Sequence, residues 1–192
     1  MKIYTILDFE STGLNKPVGT DQITQVAAIK FDETGRELAR FSTYVRLTRD
    51  KIPSKYTPQI TIGLCNTGMK QGDVLDTLFN FIGDTTLVCQ YAPFDFSFLD
   101  WHPHKFICTR ALSYLVDGPN VSPSLKPTCE RHGIKLDNHH DAVADVMATK
   151  EVLFLMLKKA EEKEIPHIYN TVIDFKDRPL TYYPAHALII QE

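Results

Sequence analysis

A mixed α/β architecture, a five-stranded sheet flanked by helices, follows from three features of this 192-residue sequence. The first part of the chain holds three β-rich runs with turn-forming residues between them. From residue 73 onward, helix-spaced stretches alternate with short apolar runs of strand type. Hydrophobic residues make up 43% and charged residues 23%, the balance of a folded chain that buries a sizeable core without disulfides.

Ile3 to Asp8 is β-branched and aromatic and forms the first strand. Ile23 to Phe31 is the second, and the turn signal Asp32-Glu33-Thr34-Gly35-Arg36 leads into a third from Glu37 to about Arg46, giving an antiparallel meander. Residues 48–70, broken by Pro53, Pro58, Gly63 and Gly68, are irregular with at most one short helix. Val74, Leu78 and Ile82 recur every four residues, which predicts a helix over 73–82. Thr85 to Cys89 is a buried strand, 93–101 a helix with Pro93 in its first turn, and Phe106 to Cys108 another strand. Helices are expected at about 109–116 and 124–132, the latter stopped by Gly133. Ala144, Ala148, Val152 and Leu155 place a long helix over about 141–160.

Residues 1–160 are expected to form one domain. Residues 161–192, opened by Glu161-Glu162-Lys163-Glu164 and Pro166, are expected to be a C-terminal appendage of unknown role, with strand-like pieces at 171–175 and 187–190. The apolar run Ile3 to Leu7 is too short for a signal peptide, and no stretch approaches a membrane span, so a cytoplasmic location is expected. Cys65, Cys89, Cys108 and Cys129 lack C-x-x-C spacing and are expected to be reduced, buried thiols. His102 and His104 are expected in a loop, without metal-ligand spacing around them. A net charge of −3 argues against a protein that grips nucleic acid by bulk electrostatics, but not against a carboxylate site that recruits cations.

Three short blocks carry chemistry. Asp8-Phe9-Glu10 ends the first strand, where residues two apart share a face, so both carboxylates point one way just before the turn at Thr12-Gly13. Such a pair suits a hard cation that prefers oxygen ligands, though it also suits a solvated strand end. Asp95 falls in the first turn of a helix, either as a dipole-stabilised cap or as a carboxylate aimed at the first pair. His139-His140-Asp141-Ala142-Val143-Ala144-Asp145 opens the long helix. Five residues of helix turn through about 500°, so His140 and Asp145 share a site only if His140 lies in the entering loop. Four carboxylates and one histidine make a coherent phosphoryl-transfer set. Two divalent ions would stabilise the attacking and leaving oxygens, and a neutral histidine would take the proton of the attacking water.

Together these residues resemble the DEDDh exonucleases, the group that includes the proofreading epsilon subunit of bacterial DNA polymerase III. Asp8-Phe9-Glu10-Ser11-Thr12-Gly13-Leu14 is similar to the family's D-x-E-x-T-G-L block. Phe94-Asp95 with Phe98-Leu99 is similar to F-D-x-x-F-L, and His140-x-Ala142-x-x-Asp145 to H-x-A-x-x-D. Lesser similarities lie at Asp21 to Val26, Cys108-Thr109-Arg110 and Cys129 to Ile134. The resemblance implies a ribonuclease H-like fold over residues 1–160 and 3′→5′ hydrolysis to nucleoside 5′-monophosphates. It also implies two Mg2+ or Mn2+ ions held by Asp8, Glu10, Asp95 and Asp145, with His140 as general base. A sister group carries tyrosine four residues before the last aspartate; Asp141 stands there, and Ala142 sets the register on His140 rather than His139.

By the same analogy Ser11, Thr12 and Leu14 line the pocket of the terminal nucleotide. The family's His-Asn before the second block is replaced by Gln90-Tyr91, and Tyr91 is open to two roles, stacking on a base or packing at the sheet edge. The expected partner is single-stranded or 3′-ended nucleic acid, with single-stranded DNA favoured. Alternatives are an RNA-directed exonuclease and a non-catalytic nucleic-acid-binding or assembly module. A polymerase or replication partner is not evident in the sequence, which lacks a recognisable clamp-binding motif.

Overall fold

The computed structural model describes residues 2–48, 50–176 and 178–192. Strands β1 (Ile3–Ser11), β2 (Ile23–Asp32) and β3 (Glu37–Arg46) form the expected antiparallel meander. Helix α1 (Ile62–Thr67) leads into a two-residue strand, β4 (Met69–Lys70), and helix α2 (Gln71–Ile82). Strand β5 (Thr86–Cys89), helix α3 (Ala92–Phe96) and strand β6 (Phe106–Cys108) follow. Helices α4 (Thr109–Asp117), α5 (Leu125–His132) and α6 (Ala142–Glu162) precede strands β7 (Thr171–Asp174) and β8 (Leu188–Gln191).

The main sheet has six strands in the order β4-β3-β2-β1-β5-β6. Five are those expected. The sixth, β4, adds Met69 and Lys70 in parallel beside Val45 and Arg46. Its approach depends on Gly68, where a Cβ would lie 2.0 Å from the Tyr44 carbonyl oxygen. Strands β5 and β6 run parallel to β1, which therefore sits centrally with both edges paired.

Alternation along β1 sends its side chains into two cores. Leu7 and Phe9 pack with Val26, Leu87 and the α2 residues Val74 and Leu78. Tyr4 and Ile6 pack on the other face with Ile29, Val88 and the α6 residues Val146, Leu153 and Met156. Both faces of β1 and β2 are thus covered, which explains why β2 is buried along almost its whole length. Residues after α6 enter the first core: Val172, Ile173, Phe175 and Leu180 are buried there, and β7 and β8 form a separate parallel pair. Asn170 fastens this segment to β6, its amide donating to the Phe106 carbonyl while its side-chain oxygen accepts from the Phe106 amide.

One helix is shorter than its sequence pattern. The stretch 93–101 was expected to be helical throughout, yet α3 ends at Phe96. The Asn15 side chain donates to both the carbonyl and the hydroxyl of Ser97, and Phe98 turns back onto Phe9 and Phe94. Long-range bonds from the β1–β2 loop thus outweigh local helix preference. His102 and His104 lie in loop, and all four cysteines are buried and unpaired. Among the described residues no helix is long and apolar enough to cross a membrane.

Candidate active site

Asp8 and Glu10 share the α6 face of β1, as their spacing predicts, and Asp145 lies on the first turns of α6 above them. Carboxylate oxygens of the three lie within 4.8 Å of one another. A β-bulge between Glu10 and Ser11 ends the regular pairing immediately after the second acid. Gln25, opposite Glu10 on β2, fixes the height of α6: its Nε2 donates to Asp141 Oδ2 at 3.1 Å and its Oε1 accepts from the Ala142 amide at 3.1 Å. Asp141 in turn caps the helix, accepting from the Ala144 amide at 3.2 Å. The acids of β1 and α6 are therefore held together by a residue of the neighbouring strand.

Asp95 comes from α3 and approaches from the β5 side. It is 2% exposed, and its Oδ1 accepts from the Phe9 amide at 3.3 Å. It stands outside the 4.8 Å group but is the strongest charged neighbour of Asp8. Burial, then the charges of Asp95, Asp145 and Glu10, push the Asp8 carboxyl well above its usual range. Burial and the charges of Asp145, Asp141 and Asp95 raise Glu10 to about 8, and burial raises Asp95 to about 8. Four acids cluster here with no ion pair to a Lys or Arg among the described residues, and their like charges raise Asp8 and Glu10, so the arrangement fits a site built to receive cations.

The two histidines divide. His139 Nδ1 lies 2.9 and 3.1 Å from the two Asp145 oxygens. His140 reaches Asp145 only through its backbone amide, at 3.2 Å, and its own ring stacks on His139 with centroids 3.9 Å apart. The left-handed backbone at His140, φ 73°, turns its side chain into the cleft. Desolvation and the neighbouring His139 lower its pKa below the ordinary 6.5, with Asp145 opposing.

These groups floor a cleft of about 670 Å³. Asp8, Glu10, Ser11, Thr12, Leu14, Tyr91, His140 and Asp145 all line it, while Asp95 is covered behind Asp8. Thr12 and Ser11 have structural work there. The Thr12 hydroxyl donates to Asp21 Oδ1 at 2.8 Å, and the Ser11 hydroxyl to the Gly13 carbonyl at 2.5 Å. Gly13 leaves room for the Asp21 carboxylate, since a Cβ would lie 2.7 Å from Asp21 Oδ2 and push the side chain aside. Tyr91 lies beneath two guanidinium groups, Arg110 at 5.3 Å and Arg178 at 5.7 Å from its ring centre.

Sequence reasoning did not anticipate the opposite wall, made by Ile52 to Thr57, nor Arg178; Gln90 and Phe94, named in the sequence only as parts of the segment around Asp95, line the cleft as well. One signal is visible in the structure alone. The three most exposed large apolar side chains among the described residues, Ile52 and Tyr56 at 67% and Leu14 at 66%, all line this cleft. Apolar surface gathered at a polar floor marks a ligand-contact surface.

Residues 5–153 match the family described as RNase_T, Exonuclease. This chain belongs to that exonuclease family. The resemblance read from the three sequence blocks is thereby borne out, and with it the enzyme class. Among curated proteins the chain is 30% identical over 204 residues to the PolC-type DNA polymerase III of Clostridium perfringens, covering 97% of this chain and 14% of that protein. It is 28% identical over 188 residues to the PolC-type polymerase of Streptococcus mutans, covering 91% of this chain and 12% of that protein. The chain thus spans about an eighth of the length of these relatives.

Among solved structures it resembles exonuclease X in complex with 5′-overhanging duplex DNA, with a TM-score of 0.68, 22% identity, and 82% and 93% of the two chains covered. The nuclease domain of 3′hExo, a DEDDh member bound to rAMP, gives 0.67, 18%, and 82% and 92%. Escherichia coli exonuclease I with a dT13 oligonucleotide gives 0.67, 19%, and 85% and 43%. These likenesses establish the ribonuclease H-like exonuclease fold.

Proposed function

We propose that this exonuclease removes nucleotides one at a time from the 3′ end of single-stranded DNA, releasing nucleoside 5′-monophosphates. The observation that carries the reading is the Asp8–Glu10–Asp145 cluster, with Asp95 behind it, at the floor of an apolar-walled cleft. Similarity to PolC-type DNA polymerases favours DNA over RNA.

Asp8, Glu10, Asp95 and Asp145 would hold two divalent cations, Mg2+ or Mn2+, which when bound supply charge stabilisation for the attacking and leaving oxygens of an in-line displacement. His140 lies in the cleft with a lowered pKa, so it stays neutral near pH 7 and is free to accept the proton of the attacking water. Clustered acids make poor bases once cations hold them deprotonated, which leaves this step to the imidazole. His139 acts through Asp145, fixing both carboxylate oxygens in place. Ser11 and Thr12 shape the turn that presents backbone groups to the terminal nucleotide, and Leu14 and Tyr91 offer it apolar and aromatic surface. Residues 1–160 constitute the exonuclease unit in this proposal, with 161–192 as an addition to it.

The test is a single-stranded DNA labelled at its 5′ end, incubated with Mg2+, Mn2+ or EDTA beside Asp8→Ala. A ladder shortening from the 3′ end, lost with EDTA and with the variant, is the expected outcome. Internal cuts, or cleavage by Asp8→Ala at the wild-type rate, would remove the proposal; faster shortening of a matched RNA would reassign the substrate.

A further inference from the structure

The segment after α6 does more than complete a core, because it delivers a cation to the catalytic cleft. Arg178 is exposed and lines the cleft with Leu14, Tyr91 and Phe94. It lies outside the residues 5–153 matched by the exonuclease family. Leu180, two residues on, is 6% exposed in the core, and its amide donates to Asp174 Oδ1 at 2.8 Å. The Arg178 amide donates to the Phe175 carbonyl at 3.1 Å, so the backbone carrying the guanidinium is anchored on both sides. The side chain itself rests over Tyr91 at 5.7 Å, and among the described residues it makes no ion pair with a carboxylate.

Beyond Arg178 the cleft continues. A second hollow of about 230 Å³ shares Leu14, Tyr91, Phe94 and Arg178 with the first and extends to Lys16 and Thr181. Among the described residues no carboxylate lines it, and two cations do, Lys16 and Arg178. One groove therefore changes sign along its length, acidic at Asp8, Glu10 and Asp145 and basic at Lys16 and Arg178. A guanidinium offers a planar fork of donors that matches a phosphodiester's oxygens, and a tyrosine ring beneath it limits the conformations it must give up on binding.

We propose that Arg178, seated on Tyr91, forms a phosphodiester subsite that holds the strand on the 5′ side of the scissile bond. The proposal rests on the nuclease reading and adds to it a determinant supplied by the C-terminal segment. It makes the enzyme prefer substrates with at least one internucleotide linkage beyond the one being cut. Arg178 is a binding residue here, with Tyr91 positioning it.

Two substrates separate the subsite from the chemistry: a labelled single-stranded oligodeoxynucleotide, and the p-nitrophenyl ester of thymidine 5′-monophosphate, which has no linkage upstream. For Arg178→Gln, kcat/KM on the oligonucleotide should fall about tenfold relative to the ester, mainly through KM. Arg178→Lys should recover part of the loss. Fluorescence anisotropy of the same oligonucleotide, with Ca2+ replacing Mg2+, should show weaker binding and a salt dependence of log Kd shallower by about 0.7, one phosphate contact on a single strand. Equal losses on both substrates, or no loss on the oligonucleotide, overturn the subsite. If the wild-type protein cleaves neither substrate the nuclease reading fails on its own, and the anisotropy comparison still decides whether Arg178 binds the strand.

Discussion

Two clusters of charged groups in this protein, each built around shielded carboxylate, are made in opposite ways. At the far end of α4, Asp117 accepts from Arg131 Nη2 at 2.7 Å and Nε at 3.0 Å, and lies 2.8 Å from His132 Nε2. Lys159 from α6 reaches the other His132 nitrogen at 3.2 Å, tying α4, α5 and α6 together. Burial alone would raise the Asp117 pKa, but His132 and Arg131 outweigh it and hold the carboxyl below its usual value. At the cleft, Asp8, Glu10 and Asp95 are also shielded from water, yet their nearest charged neighbours are other acids and all three are raised. The first cluster is complete within the chain and serves stability. The second has acids for its charged neighbours and could hold a cation, and that asymmetry separates a candidate site from a strut.

The comparison can be broken most severely at the cleft. Asp8→Ala should lower cleavage by on the order of a thousandfold or more, the scale of losing a charge-stabilising partner in a reaction centre, while circular dichroism shows the fold retained. His140→Ala should cost about 10²- to 10⁴-fold in kcat. His139→Ala should cost less, about 10- to 100-fold, as expected for a group that orients a ligand. The pH profile distinguishes them. Wild-type activity should fall on acidification only below about the ordinary histidine value of 6.5, because the His140 pKa is lowered. Removing His139, which contributes to that lowering, should move the acid limb upward.

The paired cluster should respond in stability instead. Asp117→Ala leaves Arg131 and His132 without their shared acceptor and should destabilise the fold by about 3 kcal/mol, with exonuclease activity per folded molecule unchanged. Urea denaturation followed by activity at low denaturant measures both. The stability of the metal-free protein should also depend on pH. Glu10 and Asp95 titrate at about 8 in the fold, against 4.5 and 3.8 for the free groups, so the folded state holds protons that the unfolded chain releases. Their contribution is fully present below those lower values and is lost as pH rises toward 8. In EDTA the Tm should fall between pH 5 and pH 8. Mg2+ should restore more at pH 8 than at pH 5, whereas a Tm that rises across this range in EDTA would contradict the raised carboxyls.

Much of the site was legible because it is local. Asp8 and Glu10 are two residues apart on a strand, and a strand alone puts them on one face. His140 was placed in the loop entering α6 from the helical angle between it and Asp145, and its left-handed backbone matches that placement. The helix over 93–101 failed because Asn15, some eighty residues away, captures Ser97. Neither the wall at 52–57 nor Arg178 has a periodic pattern to betray it, since an exposed loop follows whatever anchors its ends.

The sequence by itself determined the sheet meander, the long helix and the identity of the three acidic blocks, because strand alternation, helical period and capping act over a few residues. Only the tertiary structure decided that His139 rather than His140 grips Asp145, that Gln25 sets the height of α6, and that Arg178 reaches the cleft. Each of these joins residues distant in sequence or chooses between near-equivalent neighbours, and such choices are made by packing and charge once the chain has closed on itself.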